Sequence, residues 1–344
     1  METRLDRYEG AREKKLEQLK QLIKESNYIV FLGGAGVSTE SGIPDFRSGE
    51  GIFNQESGLS YRPVDIISHS FFEEHPEEFF DFYRRKLLYP KARPNKAHRA
   101  LVRLEKQGKL KATITQNIDN LHQMAGSTTT IELHGSVFRN YCVDCGERYD
   151  LNYVLKTKGI PRCEKCGGIV RPDMILYEEH LEHKNVDNAV KAIKKADLLI
   201  IGGTSLTVYP AATFAQFLKS DRVVIINKSS TYLDLQAMLT IHDSIGTVLD
   251  TVISKYIPKK KPETKKASSK KAPAKKPAAK TAAKKPASKT DAKKPASKPA
   301  AKKPASKPAA KKPAAKAADK KPASKTASKK APSKKTGTNS KKKD

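Results

Sequence analysis

Three observations predict an α/β fold, a doubly wound (Rossmann-like) parallel sheet carrying a smaller inserted domain. Short apolar runs recur between residues 28 and 227, segments of helical spacing separate them, and the runs are continuous rather than alternating. A strand that is apolar at every position is buried on both faces, the condition inside a parallel sheet covered by helices.

Residues 12 to 26, REKKLEQLKQLIKES, set Leu16, Leu19, Leu22 and Ile23 on one helical face, so an amphipathic helix precedes the first strand. That strand is YIVFL, Tyr28 to Leu32. Further strands are read at ATIT (112 to 115), DLLIIGG (197 to 203) and RVVIIN (222 to 227), with helix-like segments at 186 to 195 and 210 to 219. IHDSIGTVLDTVISKYI reads as a last helix. Two segments interrupt the pattern: 52 to 98, rich in Phe, Tyr, Glu and Pro, and 139 to 170, which holds every cysteine. Together they predict the smaller domain, with a ligand cleft between it and the sheet.

The charge is split along the chain. The 344 residues carry a formal net charge of +30. From Pro258 to Asp344 there are 32 lysines and no arginine against four acids, Glu263, Asp291, Asp319 and Asp344, a net of +28 that leaves +2 for residues 1 to 257. Lys-Lys-Pro-Ala recurs every nine residues from Lys275 to Lys320. With nothing apolar larger than alanine beside it, no core can form, and the expectation is a disordered tail, 258 to 344, following a globular catalytic domain, 1 to 257. A polycation with Pro and Ala spacers, resembling the tails of linker histones, implies DNA or another nucleic acid as partner.

The opening METRLDRYEGAREKKLEQL lacks the apolar core of a signal peptide, and no run is long and apolar enough to span a bilayer. A cytoplasmic protein with no membrane partner is expected, associated with a nucleoid or chromatin through the tail. In a reducing compartment, Cys142-x2-Cys145 and Cys163-x2-Cys166, separated by 17 residues, predict a metal site rather than disulfides. Four thiolates fill a tetrahedral coordination sphere, so the implied zinc is structural.

The first strand runs into GGAGVSTESGIPDFRS, Gly33 to Ser48. Its glycines let backbone approach a pyrophosphate, and a following helix N-terminus would supply N–H donors. The third glycine of the usual dinucleotide spacing is missing, and no acid closes a ribose site at the end of a clear second strand, so hydride transfer is disfavoured. With TQNIDNLHQMAG (115 to 126), ELHGS (132 to 136), GGTSLTVYPAA (202 to 212) and IIN (225 to 227), the segment resembles the ordered signature set of the sirtuin family over about residues 15 to 255.

That resemblance implies an NAD-dependent protein-lysine deacetylase, with NAD a co-substrate and acetylated lysine proteins or peptides the partners. Cofactor contacts are implied at Gly34, Ala35, Gly36, Thr39, Asp45, Phe46 and Arg47 in the first loop. Gln116, Asn117, Ile118 and Asp119 would hold the nicotinamide ribose, Gly203, Thr204 and Ser205 a phosphate or the adenine ribose, and Asn227 and Ile245 the adenosine end. Ordinary packing is the competing reading for Thr39, Ile118 and Ile245. In the family's chemistry the substrate amide oxygen attacks C1′ of the ribose, nicotinamide leaves, and an imidazole activates a ribose hydroxyl. His134 would be that general base, also touching NAD, with Asn117 and Asp119 completing the catalytic set. The products are nicotinamide, free lysine and O-acetyl-ADP-ribose.

The resemblance also implies that substrate backbone adds as a strand between Tyr177–Glu179 and Leu206–Tyr209. The family pattern has Phe-Gly-Glu where this chain has Tyr177, Glu178 and Glu179. Members favouring acidic acyl groups carry Tyr-x-x-Arg where this chain has Tyr83 and Lys86, which favours acetyl, with Arg84 or Arg85 leaving succinyl open. Two alternatives remain at this level: mono-ADP-ribosyl transfer from the same NAD site, and a non-enzymatic architectural DNA-binding protein acting through its tail. The other seven histidines lack a motif that demands imidazole. Of these, His98 is expected on a helix and His122 in a structural role.

Overall fold

The structure is a computed structural model that describes residues 4–256; the readings made for the basic tail lie outside the described residues. Nine strands are formed among them: β1 (Ile29–Gly33), β2 (Leu110–Thr115), β3 (Thr130–Glu132), β4 (Gly135–Cys142), β5 (Arg148–Asp150), β6 (Val170–Met174), β7 (Leu198–Gly202), β8 (Val223–Ile226) and β9 (Leu239–Ile241). Six of them make one sheet in the order β3-β2-β1-β7-β8-β9, with every pairing parallel. Successive strands lie to one side of β1 and then to the other, so the strand order reverses between β1 and β7, where doubly wound sheets open a crevice at the strand carboxyl ends.

Alternation within β1 shows why its sequence is apolar throughout. Ile29 and Phe31 pack on one face with Leu19 and Ile23 of α1 (Arg4–Glu25), while Val30 and Leu32 pack on the other. The small module contributes α2 (Pro63–Ile66), α3 (His69–Glu74) and α4 (Pro76–Phe82). Then α5 (Lys96–Lys106) returns to the first face of the sheet through Ala97, Ala100, Leu101 and Leu104. Asn95 caps α5 by accepting from the Ala97 N–H at 2.9 Å and also donates to the Val37 carbonyl at 2.7 Å, tying the helix start to the turn after β1.

After α6 (Leu121–Met124) and α7 (Leu151–Lys156), α8 (His183–Lys195) covers the second face with Ala189, Ala192 and Ile193, and α9 (Ile245–Tyr256) closes the first. The segment 210 to 219, expected as a helix, is a 3₁₀ helix over Ala211–Phe217. An antiparallel sheet, β5-β4-β6, forms the rest of the small module. Its Val137, Leu151, Val154 and Met174 share a core with Phe71, Phe79, Phe80 and Phe82, so the chain segments on either side of α5 and β2 meet over one hydrophobic centre. Full burial of such side chains contributes about 1.5–3 kcal/mol each.

Candidate active site and zinc centre

Where the strand order reverses, β1 and β7 end side by side, Gly33 opposite Gly202. The two turns beyond them are packed closely. The Gly36 N–H donates to the Gly203 carbonyl at 2.8 Å, and Gly203 has φ +59. A Cβ on Gly34 would come within 2.7 Å of the Thr204 side chain, and one on Gly36 within 2.8 Å of the Gly203 backbone. These glycines therefore serve first to seat one turn on the other. The helix expected after the glycine turn is instead two short 3₁₀ turns, Ala35–Val37 and Thr39–Ser41.

A cleft of about 980 Å³ opens here, bounded by the parallel sheet on one side and the small module on the other. Every residue expected to meet NAD or to act in catalysis lines it. Its size and its mix of apolar walls with a few convergent polar groups suit a dinucleotide together with a peptide side chain. The Thr39 hydroxyl donates to the Gly36 carbonyl at 3.0 Å within its own turn. Asp45 accepts the N–H groups of Arg47 and Ser48 at 3.0 and 2.8 Å, ordering its loop. Arg47 donates to the Tyr177 hydroxyl at 3.1 Å, linking the two walls of the cleft. Ile245 is 4% exposed and seated so closely on Gly202 that a Cβ there would meet its Cδ1 at 2.0 Å, so packing is its first role.

The polar centre is built by the ends of β2 and β3. The Gln116 N–H donates to the Gly33 carbonyl and the Leu133 N–H to that of Thr115, which fixes both segments against the sheet. His134 Nδ1 then lies 2.8 Å from the Gln116 carbonyl oxygen. Because a carbonyl only accepts, Nδ1 carries the proton in the neutral ring and Nε2 keeps its lone pair. Burial lowers the His134 pKa below the ordinary 6.5, against the opposing pull of that carbonyl, so neutral imidazole is favoured.

Ser38, which the motifs named without a role, joins the other two polar groups. Its hydroxyl donates to Asp119 Oδ2 at 2.5 Å and accepts from Asn117 Nδ2 at 3.0 Å. Burial raises the Asp119 pKa, while the Ser38 hydroxyl and the Leu121 N–H favour its charged form. Gln116 Nε2 reaches the Thr204 hydroxyl at 3.1 Å, so the β2 and β7 turns are bonded through side chains as well. His98 and His122 are buried with ring centroids 4.6 Å apart, and burial pushes their pKa values down to about 2 and about 4. Both stay neutral and behave as core.

The segment that carries Tyr83 and Lys86 does not line the cleft. Tyr83 is fully buried and stacks on Phe79 at 5.9 Å, inside the small module and away from the cleft lining. The π-helical turn Tyr83–Leu87 that ends α4 rotates the basic residues away too. Arg84 donates to the carbonyls of Phe80, Val154 and Gly159, Arg85 pairs with Asp81, and Lys86 donates to Gln55. Leu87 and Tyr89 line the cleft instead, and the cations among its described lining residues are Arg47 and Lys228.

At the far end of β4 the four cysteines converge, with sulfur atoms all within 4.8 Å of one another. Cys142 and Cys166 are 3.4 Å apart and Cys145 and Cys163 3.6 Å, too far for disulfides. Zinc–sulfur bonds of about 2.3 Å in a tetrahedron need sulfurs roughly 3.8 Å apart, which these positions satisfy with little adjustment. The Tyr149 hydroxyl donates to Cys163 Sγ at 3.2 Å, favouring the thiolate that a metal requires. These residues would hold a structural zinc, since a complete cysteine set leaves no position for water.

Fold and cleft define a doubly wound α/β protein with a ligand crevice at the strand carboxyl ends and an attached four-cysteine module. The Sir2 family pattern matches residues 34–210, and the chain belongs to that family. It is 60% identical over 240 residues to an NAD-dependent protein deacetylase of Clostridium perfringens, covering 70% of this chain and 98% of the relative. Identity to the corresponding protein of Clostridium tetani is 57% over 240 residues, 70% of this chain and 97% of that one. Among solved structures, a Sir2 homologue in complex with NAD matches with TM-score 0.63 at 36% identity, covering 70% of this chain and 93% of that one. A Sir2 bound to acetylated peptide matches with TM-score 0.63 at 34% identity, covering 70% and 98%.

Proposed function

We propose that this chain is an NAD-dependent protein-lysine deacetylase that releases nicotinamide, free lysine and O-acetyl-ADP-ribose. NAD supplies the ribose that receives the acyl group. The observation that carries the reading is the His134–Gln116 contact: Nδ1 is committed to a carbonyl, so a neutral ring lining the cleft has Nε2 to take a hydroxyl proton. Asn117 and Asp119, held by Ser38, orient the ribose, and Asn227 and Ile245 lie toward the adenosine end. Relatives of this family carry the deacetylase name, which supports this reading over ADP-ribosyl transfer or a purely architectural role.

Acetyl is the preferred acyl group, because no cation of the 83–86 segment reaches the cleft to pair with an acyl carboxylate. The test is nicotinamide release from NAD, measured with and without acetyl-lysine and succinyl-lysine forms of one peptide. Release that depends on the acetylated peptide, with a higher kcat/KM for acetyl, supports both readings. ADP-ribose accumulating on protein with no lysine freed overturns the first.

We further propose DNA as the partner of residues 258 to 344, which would hold the enzyme on a nucleoid or chromatin. The charge split supports this: +28 lies in the tail against +2 in the rest. Lysines spaced by Pro and Ala offer phosphate contacts without base readout. No helix among the described residues is long and apolar enough to cross a membrane.

A further inference from the structure

We infer that Glu178 is a specificity-determining residue that selects acyl-lysines with a basic neighbour in the substrate chain; this rests on the deacetylase reading of the cleft. The position is where the family pattern carries glycine, and the backbone keeps a glycine-like conformation, φ +76. The side chain makes that conformation tolerable by bonding back to the start of α3. Its carboxylate accepts from the Ser70 N–H at 2.9 Å and the Ser70 hydroxyl at 3.1 Å. A carboxylate thus stands in the wall where a glycine would leave none.

One edge of this segment is already occupied. The Tyr177 N–H donates to Ile67 and the Tyr177 carbonyl accepts from His69, both at 3.0 Å. Among the described residues, the Glu178 N–H and C=O take no hydrogen bond, so this backbone is open to an added strand. Across the cleft stands Tyr209, 76% exposed. A substrate chain entering between these loops passes beside Glu178.

The two adjacent acids differ in charge balance. Glu179 is neutralised by Arg171 at 2.6 Å and bonded to His69 at 2.8 Å. Glu178 accepts only from neutral donors and has no cationic partner among the described residues. Glu178 lines the cleft with its carboxylate held by Ser70 at the rim and no described cation neutralising it, and a lysine or arginine beside the acyl-lysine is the group that complements it. The chain's own Lys-Lys-Pro-Ala sequence belongs to this substrate class.

The test uses the full chain and two peptides, Ala-Lys(acetyl)-Lys-Pro-Ala and the same peptide with Gln for the second lysine. Affinity and kcat/KM are measured for wild type and for Glu178→Gln, which keeps an acceptor for the Ser70 N–H. The wild type should prefer the basic peptide by about two- to fivefold. The preference should shrink with added salt and be lost in the variant, whatever happens to its absolute rate. An equal preference in both proteins, or none in wild type, overturns the assignment. Because affinity is read apart from turnover, a wild type that binds peptide yet releases no nicotinamide counts against the deacetylase reading, while the affinity ratio still decides the role of Glu178.

Discussion

His134 and Gln116 meet through a 2.8 Å hydrogen bond from Nδ1 to a main-chain carbonyl that is itself fixed beside the end of β1. The imidazole is thereby oriented by backbone rather than by a carboxylate. Among the described residues no negative charge lies behind the ring to raise its pKa, and burial acts in the lowering direction.

Replacing His134 with Ala should lower deacetylation by about 10²–10⁴-fold. NAD affinity and thermal stability should stay close to those of wild type, because the ring acts on bound reactants. The sign of the pH effect follows from the lowered pKa. The base is competent when neutral, so activity is full above its folded pKa and falls as pH drops through a midpoint below 6.5. A pH–rate profile whose acidic limb is centred above 7, or activity lost only through unfolding of the variant, would contradict the role.

Ser38→Ala should weaken the site by loosening Asn117 and Asp119 while leaving both of their side chains in place. It removes the donor to Asp119 and the acceptor for Asn117 Nδ2, leaving buried polar atoms short of a partner at a cost of about 1–2 kcal/mol. That corresponds to roughly five- to thirtyfold in kcat/KM for NAD. Adding Asp119→Asn to the Ser38 variant should cost less than Asp119→Asn alone, and strict additivity in this double-mutant cycle would show that the three groups do not act as one unit.

Purified protein should contain one zinc per chain, and Cys163→Ala should lose it. Structural zinc sites of this ligand type contribute on the order of 10–16 kcal/mol of apparent binding energy, which is coupled to folding. Cys142 and Cys163 lie buried with Val170, so metal loss should open the β4–β6 end of the module and lower the melting temperature. Metal analysis with calorimetry checks this; a zinc-free protein of full activity and unchanged melting would refute it.

Truncation after residue 257 should abolish retention on DNA and leave turnover of a free peptide unaltered. Binding by the full chain should be independent of base sequence, with log affinity falling against log salt by about 0.9 per phosphate neutralised. Equal DNA affinity of truncated and full-length protein in a salt-titrated binding assay would eliminate the tail as the contact.

Much of this was legible in linear order because it depends on local chemistry. Apolar runs located β1, β7 and β8, since strands buried on both faces take few polar residues, and ATIT located β2, whose Thr113 and Thr115 are buried in spite of their hydroxyls. The three-residue strands β3 and β9 and the antiparallel sheet β5-β4-β6 were missed, being too short or too polar to show a period. The CxxC pairs announced a metal site because four ligands from two tight turns need little help from the rest of the chain.

What tertiary structure alone decided was where side chains at motif edges point. Tyr83 lies in an aromatic-rich segment that could face either core or cleft, and only the packing of α4 against the small sheet turned it inward. Ser38 lies 79 residues from Asn117 and 81 from Asp119 in sequence yet within hydrogen-bond reach of both. The seating of Gly36 on Gly203 and the charge left uncompensated on Glu178 likewise arise between segments far apart in the chain. Residue types and their local spacing determined the family, the sheet and the metal site, because they are encoded within a turn or a strand. The hydrogen-bond partners and the pKa shifts were set by the fold, because both depend on which distant groups exclude water from the same volume.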